Sequence, residues 1–317
     1  MNEDPSWVRS AYQAADGYAD VLAEELTRRG IAVHAWHGLL ALSPDPPAPA
    51  AWALNIWTAP REIPVPSIGA AADSLRAIQR NWGYLPFDHN SRAALITAKL
   101  PPLRPKPIRF PTAAPTSHLG AFTLLGYDRM LASPTQTSPF INGEIAFEEN
   151  RIGPPSRAYL KLWEACTLLR AWPQPGQTCL DLGAAPGGWT WAIAQLGAQV
   201  TAIDKAPLMP AIAGLPNVIT RQESAFALNP AEEPPVDWLF SDIIAYPSRL
   251  LTLVQAWIAA NKATRIVCTL KFQAETDHQA AEAFAAIPGG RLIHLFHNKH
   301  ELTFLWQRPL PTQAPAC

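Results

Sequence analysis

The chain is poor in cysteine, and none of the four it has is spaced to act with another. Cys166, Cys179, Cys268 and Cys317 stand far apart, with no C-x-x-C pair among them. That pattern excludes the usual zinc and disulfide frameworks and reads as buried free thiols in a reducing compartment. Excess charge of either sign is also missing: 25 Lys and Arg face 26 Asp and Glu, a net charge of −1 over 317 residues. Any polyanionic partner must therefore be met by a local patch and not by the whole surface. No apolar run reaches the length of a membrane span. Residues 1–5 (M-N-E-D-P) carry neither the basic nor the apolar stretch of a secretory signal. The expectation is a cytoplasmic protein with no metal site and no membrane contact.

Proline, by contrast, is abundant. Its 33 copies are about twice average usage. They cluster at 44–49, 60–66, 101–115 and 134–155, and thin out beyond Pro186. The amino half thus reads as short elements with stiff connections, and the carboxyl half as regular alternation. A boundary falls near residue 150, giving units 1–150 and 151–317.

In the amino half, residues 17–30 carry apolar positions at helical spacing and stop at a glycine. Residues 31–36 and 51–57 read as strands and 70–81 as a second helix, which together make a small α+β unit. From His89 to Tyr127 there is no acidic residue, while Arg92, Lys99, Arg104, Lys106 and Arg109 are all present. That segment is either a solvated basic loop or an arm that tracks phosphates; the interleaved prolines and Phe110 suit the second.

From residue 157 the pattern is α/β. A helix fits 157–171, and strands fit 178–182, 199–203, 218–220, 237–240, 265–270, 291–297 and 302–306. Helices fit between them at 188–196, 247–260 and 276–286. Short apolar strands alternating with helices imply a mostly parallel seven-stranded sheet covered on both faces. The few residues between the last two strands imply an antiparallel hairpin at its edge.

The most informative stretch is D-L-G-A-A-P-G-G-W-T at 181–190. An apolar strand ends at Asp181, a turn of small residues follows (Gly183, Ala185, Pro186, Gly187), and a helix opens at Gly188 with Trp189. Glycines let the backbone approach a ligand closely, and a helix N-terminus offers free N–H groups to an anion. The second strand ends at Asp204, where a carboxylate can accept ribose hydroxyls, as in dinucleotide folds. The wording is that of an S-adenosylmethionine (SAM) cradle. A dinucleotide is the rival, but its G-x-G-x-x-G fingerprint is absent; a purely structural turn is the third reading.

Four charged residues are placed to meet the same end of that sheet. Lys161 lies on the helix before the cofactor strand, Asp242 follows the fourth strand, Lys271 ends the fifth, and Glu301 opens the last. Alone, each is ordinary: helix lysines are usually solvated, and strand-end lysines usually extend their heads to water. Together in one SAM sheet they suit methyl transfer to a hydroxyl. A neutral alcohol is a poor nucleophile and needs a proton acceptor. A lysine's reference pKa of about 10.4 keeps it charged near neutrality, and lowering it by about 2–3 units costs roughly 3–4 kcal/mol. Desolvation or a second cation can supply that. Lys161 is placed to be the second cation, whereas Asp242 and Glu301 favour charged lysine and so suit orientation.

At these residues the chain resembles the FtsJ-type RNA ribose 2′-O-methyltransferases, which carry a K-D-K-E tetrad on a Rossmann-like SAM-dependent methyltransferase fold. It is most similar to the RlmM-type branch, which methylates a cytidine of bacterial 23S ribosomal RNA. The matching pieces are S-R-A-Y-L-K-L at 156–162, the 181–190 turn and D-K-A-P-L at 204–208. D-I-I-A-Y-P at 242–247, L-K at 270–271 and H-N-K-H-E-L-T at 297–303 complete the set. A lead-in at 138–147 matches as well.

The resemblance implies Lys271 as proton acceptor, with Lys161, Asp242 and Glu301 completing the tetrad. It implies 185–188, Asp204, Ser224 and Asp242 for SAM, and large-subunit ribosomal RNA or its precursor as partner. It also implies a THUMP-like, RNA-binding amino domain. Three departures stand out: Ser224 replaces a frequent acidic residue, 273–278 is acidic where a basic cluster is usual, and the amino half is short. Two other readings stay open: a SAM- and RNA-binding assembly factor with weak or lost catalysis, and a methyltransferase acting on a small molecule or protein.

Overall fold

A computed structural model describes residues 7–309. The chain divides into two compact units, one of residues 1–109 with 114–147, the other of 110–113 with 148–317.

The amino unit is richer in strands than the sequence suggests. In order it runs β1 (Ser10–Ala14), α1 (Ala19–Arg28), β2 (Ala35–His37), β3 (Leu40–Ser43), β4 (Ala53–Trp57) and β5 (Arg61–Pro64). Then come α2 (Ile68–Ile78), β6 (Trp82–Tyr84), α3 (Asn90–Thr97), β7 (Gly120–Leu124) and β8 (Arg129–Ser133). Two four-stranded sheets form, ordered β2-β3-β1-β4 and β5-β8-β7-β6. One cluster of Ala11, Leu40 and Trp57 with Ala121 and Leu131 joins them, and α2 and α3 seal the second sheet through Leu75, Ile96, Phe122 and Met130. The strand expected at 31–36 is confined to Ala35–His37. β1, β3, β7 and β8 escaped the sequence reading because each is four or five residues long and largely buried on both faces, which erases period-2 alternation.

The basic segment is not one continuous arm. Residues 90–97 form α3, 120–124 form β7, and Arg92 stacks on Tyr127 at 3.9 Å while donating to the Val65 carbonyl. Arg104, Lys106 and Arg109 lie between them, all exposed.

The carboxyl unit contains α4 (Tyr159–Leu169), β9 (Thr178–Leu182), α5 (Gly188–Ala194), β10 (Gln199–Asp204), α6 (Pro210–Ala213) and β11 (Val218–Gln222). It continues with β12 (Val236–Ser241), α7 (Pro247–Ala259), β13 (Ala263–Lys271), α8 (His278–Ala285), β14 (Gly290–Ile293) and β15 (Glu301–Gln307). The sheet order is β11-β10-β9-β12-β13-β15-β14. It is a Rossmann-like α/β sheet, parallel except at β15.

The expected antiparallel pair stands at the sheet edge, with the later strand on its inner side. β15 runs antiparallel to both β13 and β14, so it is inserted between them and β14 holds the edge. The reason is burial: Glu301 through Trp306 are all buried, which suits an interior strand, whereas three of the four β14 residues keep some exposure. The strand expected over 291–297 stops at Ile293, where residues 294–300 turn back.

Helix ends follow local chemistry. Asp277 accepts the Ala280 amide as the cap of α8, which gives one member of the acidic 273–278 stretch a structural task. Pro247 occupies the first turn of α7, where its missing N–H costs nothing. Cys166, Cys179 and Cys268 are buried free thiols, and burial pushes all three upward in pKa; Cys317 lies outside the described residues. No described helix is long and apolar enough to cross a membrane.

Candidate active site

The strand order reverses between β9 and β12, and ligands of such sheets bind at the carboxyl ends beside that point. Ser241 pairs in register with Leu182, so Asp242 and Gly183 leave adjacent strands side by side. A cavity of about 420 Å³ opens there, within the range of small-molecule sites. Gly183, Ala185, Pro186, Gly188, Trp189, Asp204, Ser224, Asp242 and Lys271 line it.

The turn needs its glycines. Gly183 has φ +76°, and a Cβ there would lie 2.8 Å from the Ile243 Cα. Gly187 has φ +115°, and a Cβ on Gly188 would meet Ser156 Oγ at 2.8 Å. Asp204 braces the turn as well as facing the cavity: its carboxylate accepts the Ala185 amide at 3.0 Å and the Ala206 amide at 2.9 Å. Trp189 is fixed by its indole N–H, which donates to the Ala158 carbonyl at 2.8 Å.

Two residues expected at the cofactor are not among those that line the cavity. Gly187 does not line the cavity; its positive φ sets the turn. Asp181 is 1% exposed. It accepts the Thr190 hydroxyl at 2.6 Å, while its other oxygen has no hydrogen-bond partner. Burial pushes its carboxyl from 3.8 up to about 7, with Asp242 and Asp204 adding to the rise.

The four charged residues converge. Lys161 Nζ lies 2.8 Å from Asp242 Oδ1 and 3.1 Å from Glu301 Oε1. Lys271 Nζ lies 3.2 Å from the same Asp242 oxygen and donates to the Asp242 carbonyl. Lys271 and Glu301 are register partners on β13 and β15. Two lysine side chains and two carboxyl side chains thus make one compact cluster, and of the four only Asp242 and Lys271 reach the cavity wall.

Ser224 lines the cavity with its hydroxyl accepting the Phe226 amide at 3.3 Å. Glu223 also lines it but is bonded to Arg221, which in turn holds Glu233 through two bonds of 2.7 and 2.8 Å. Phe226, Ile243, Ile244 and Arg249 line the cavity too, with the Arg249 guanidinium 3.9 Å above the Phe226 ring. The sequence reading missed these. Two isoleucines directly after a strand-ending aspartate were a usable signal; an arginine in the first turn of a helix looks like any solvated one.

The cavity, the glycine cradle and the Asp204 carboxylate fit SAM: a turn that permits close backbone approach, a hydroxyl acceptor bonded to that turn, and the Phe226 ring in the wall.

Fold and site together define a Rossmann-like methyltransferase domain. Residues 154–283 match the family model of the FtsJ-like methyltransferases, a SAM-dependent class. Two curated relatives share a name, Ribosomal RNA large subunit methyltransferase M. The one from Halorhodospira halophila is 38% identical over 170 residues, 51% of this chain and 49% of that protein. The one from Alkalilimnicola ehrlichii is 37% identical over 168 residues, 49% and 46% respectively. The chain therefore matches about half the length of these relatives. Among solved structures, a fibrillarin pre-rRNA processing protein of Methanococcus jannaschii aligns at 19% identity with a TM-score of 0.34, over 42% of this chain and 68% of that one.

Proposed function

We propose that the protein uses SAM to methylate a ribose 2′-hydroxyl of large-subunit ribosomal RNA. The observation that carries the reading is the Lys161–Asp242–Lys271–Glu301 cluster, set against the SAM-sized cavity so that Lys271 and Asp242 form part of its wall. The curated relatives named for large-subunit ribosomal RNA support the substrate.

Bound in the cavity, SAM supplies an electrophilic methyl group on a sulfonium. Lys271, the lysine at the cavity wall, would act in its neutral amine form, its Nζ taking the 2′-hydroxyl proton as the oxygen forms its bond to the methyl carbon and the carbon–sulfur bond breaks. Asp242 fixes that amine by its carboxylate and its carbonyl. Lys161 neutralises Asp242 and Glu301 from behind, so neither carboxylate faces the reacting oxygen uncompensated. Gly183 to Gly188 would hold the donor, and Asp204 would accept ribose hydroxyls of the cofactor. The amino unit serves as an RNA-binding, THUMP-like domain, with Arg104, Lys106 and Arg109 on phosphates.

The test is tritiated methyl transfer to ribosomal RNA from cells lacking the gene, with 2′-O-methyl sites mapped afterwards. The expected result is one new 2′-O-methyl nucleotide. Removing a general base costs about 10²–10⁴ in rate, so activity that survives Lys271→Ala overturns this lysine's role. Methylation of a base instead of a ribose overturns the reaction.

A further inference from the structure

We propose that Glu164 is a positioning residue: it locks the 294–300 turn to α4 so that Glu301 arrives beside Lys161. The inference rests on the function proposed above and extends it to residues outside the tetrad.

Glu164 is 3% exposed and lies one turn along α4 from Lys161, on the same side of the helix. Its Oε1 accepts the Phe296 amide at 2.8 Å, and its Oε2 accepts the His297 amide at 3.0 Å. Oε2 is also 2.7 Å from Nδ1 of the His297 ring; since a carboxylate only accepts, that nitrogen carries the proton. Holding two consecutive amides on two separate oxygens fixes the direction of the chain as well as its distance. The turn then passes the constraint onward. The Asn298 side chain donates to the Glu301 carbonyl at 3.1 Å and exchanges bonds with the Thr303 hydroxyl at 3.2 Å. The Glu301 amide bonds the Lys299 carbonyl at 2.8 Å, and its carboxylate closes on Lys161.

The result is a closed ring that leaves α4 through Glu164 and returns to α4 through Lys161. A buried carboxylate is costly unless fully hydrogen-bonded, and an apolar side chain would fill the same space without that cost. What the carboxylate adds is a fixed orientation for the segment that delivers Glu301. Glu164, His297 and Asn298 do not line the cofactor cavity, so their effect on methyl transfer runs through Glu301.

Steady-state methyl transfer by Glu164→Gln, Glu301→Gln and the double variant tests this. Small misplacements of reacting groups cost up to about 10²-fold, and Glu164→Gln is expected to lower kcat by about tenfold or more. SAM affinity and the KM for RNA should stay within about twofold, because the cavity wall is untouched. In the Glu301→Gln background the same substitution should change kcat no further. Losses that multiply, an unchanged kcat, or a selective loss of SAM affinity overturn the proposal.

Should Glu164→Gln fail to fold, His297→Asn removes one bond and leaves both backbone bonds. Its smaller loss of kcat must likewise vanish beside Glu301→Gln. A readout independent of activity is the slowly exchanging imidazole N–H proton of His297, expected in the wild type and lost in Glu164→Ala, which leaves no acceptor. Its absence from the wild-type protein overturns the lock even if RNA is methylated. Its presence in a protein that methylates no RNA overturns the function and leaves the lock standing.

Discussion

Lys161 Nζ sits 2.8 Å from Asp242 Oδ1, joining the helix before the cofactor strand to the end of β12. The same ammonium lies 3.1 Å from Glu301, so one cation compensates two carboxylates whose side chains are 15% and 11% exposed.

Replacing that cation with an isosteric apolar chain leaves both carboxylates underpaired. Breaking a buried pair from one side costs about 3–5 kcal/mol, somewhat less here because the cluster borders a cavity. Lys161→Met should therefore lower the urea midpoint by the equivalent of about 3 kcal/mol and depress activity. Unchanged stability would show that the cluster is effectively solvated.

Gly183→Ala should weaken SAM binding by tenfold or more and destabilise the carboxyl unit by about 1–3 kcal/mol. The added Cβ meets backbone, the Ile243 Cα at 2.8 Å, which cannot move aside like a side-chain tip. Gly176→Ala is the control: its φ of +83° carries similar strain, but its Cβ meets nothing within 4 Å. Calorimetric SAM titration separates the two, since only Gly183→Ala should affect affinity.

Asp181 gives the carboxyl unit a pH dependence. Its folded pKa of about 7 exceeds the usual 3.8, so the native state holds the proton more tightly than the unfolded chain. Its contribution is complete below about pH 4 and falls away as pH rises to about 7. His294 works in the opposite direction: burial lowers its pKa from 6.5 to about 4, so its contribution grows as pH rises from about 4 to 6.5. Asp181→Asn should abolish the declining component and leave the rising one. Chemical denaturation at pH 4, 5.5 and 7 checks this, and identical pH profiles for the variant and wild type would contradict it.

Reversing Arg104, Lys106 and Arg109 to Glu should weaken RNA binding and make log Kd less steep in log salt by about 0.7 per lost single-strand phosphate contact. SAM affinity should not change. If RNA affinity is indifferent to the triple reversal, the exposed stretch of the amino unit does not track phosphates.

The carboxyl unit was legible because its short apolar strands alternate with helices and its turns are punctuated by glycine and proline. β9, β10, β12 and β13 fall within two residues of their expected ends. The last two strands were found, but not the insertion of β15 between β13 and β14, because a period of two says nothing about which neighbour a strand will choose. In the amino unit, short buried strands such as β7 and β8 leave no alternation to read. Glu164 was invisible for a related reason: its partners are the amides of Phe296 and His297, and amides have no sequence signature.

By itself the sequence determined the local chemistry: a glycine turn after Asp181 suited to a close-approaching ligand, and four charged residues placed at strand ends and on a helix. Those are properties of short stretches, set by backbone freedom and strand period. Tertiary structure decided the rest. Only the folded sheet shows that Lys271 and Asp242 face the cavity while Lys161 and Glu301 stand behind them, that Asp181 is a buried acid, and that Glu164 anchors the turn bearing Glu301. These relationships depend on distances between residues far apart in the chain, which packing fixes and local pattern cannot encode.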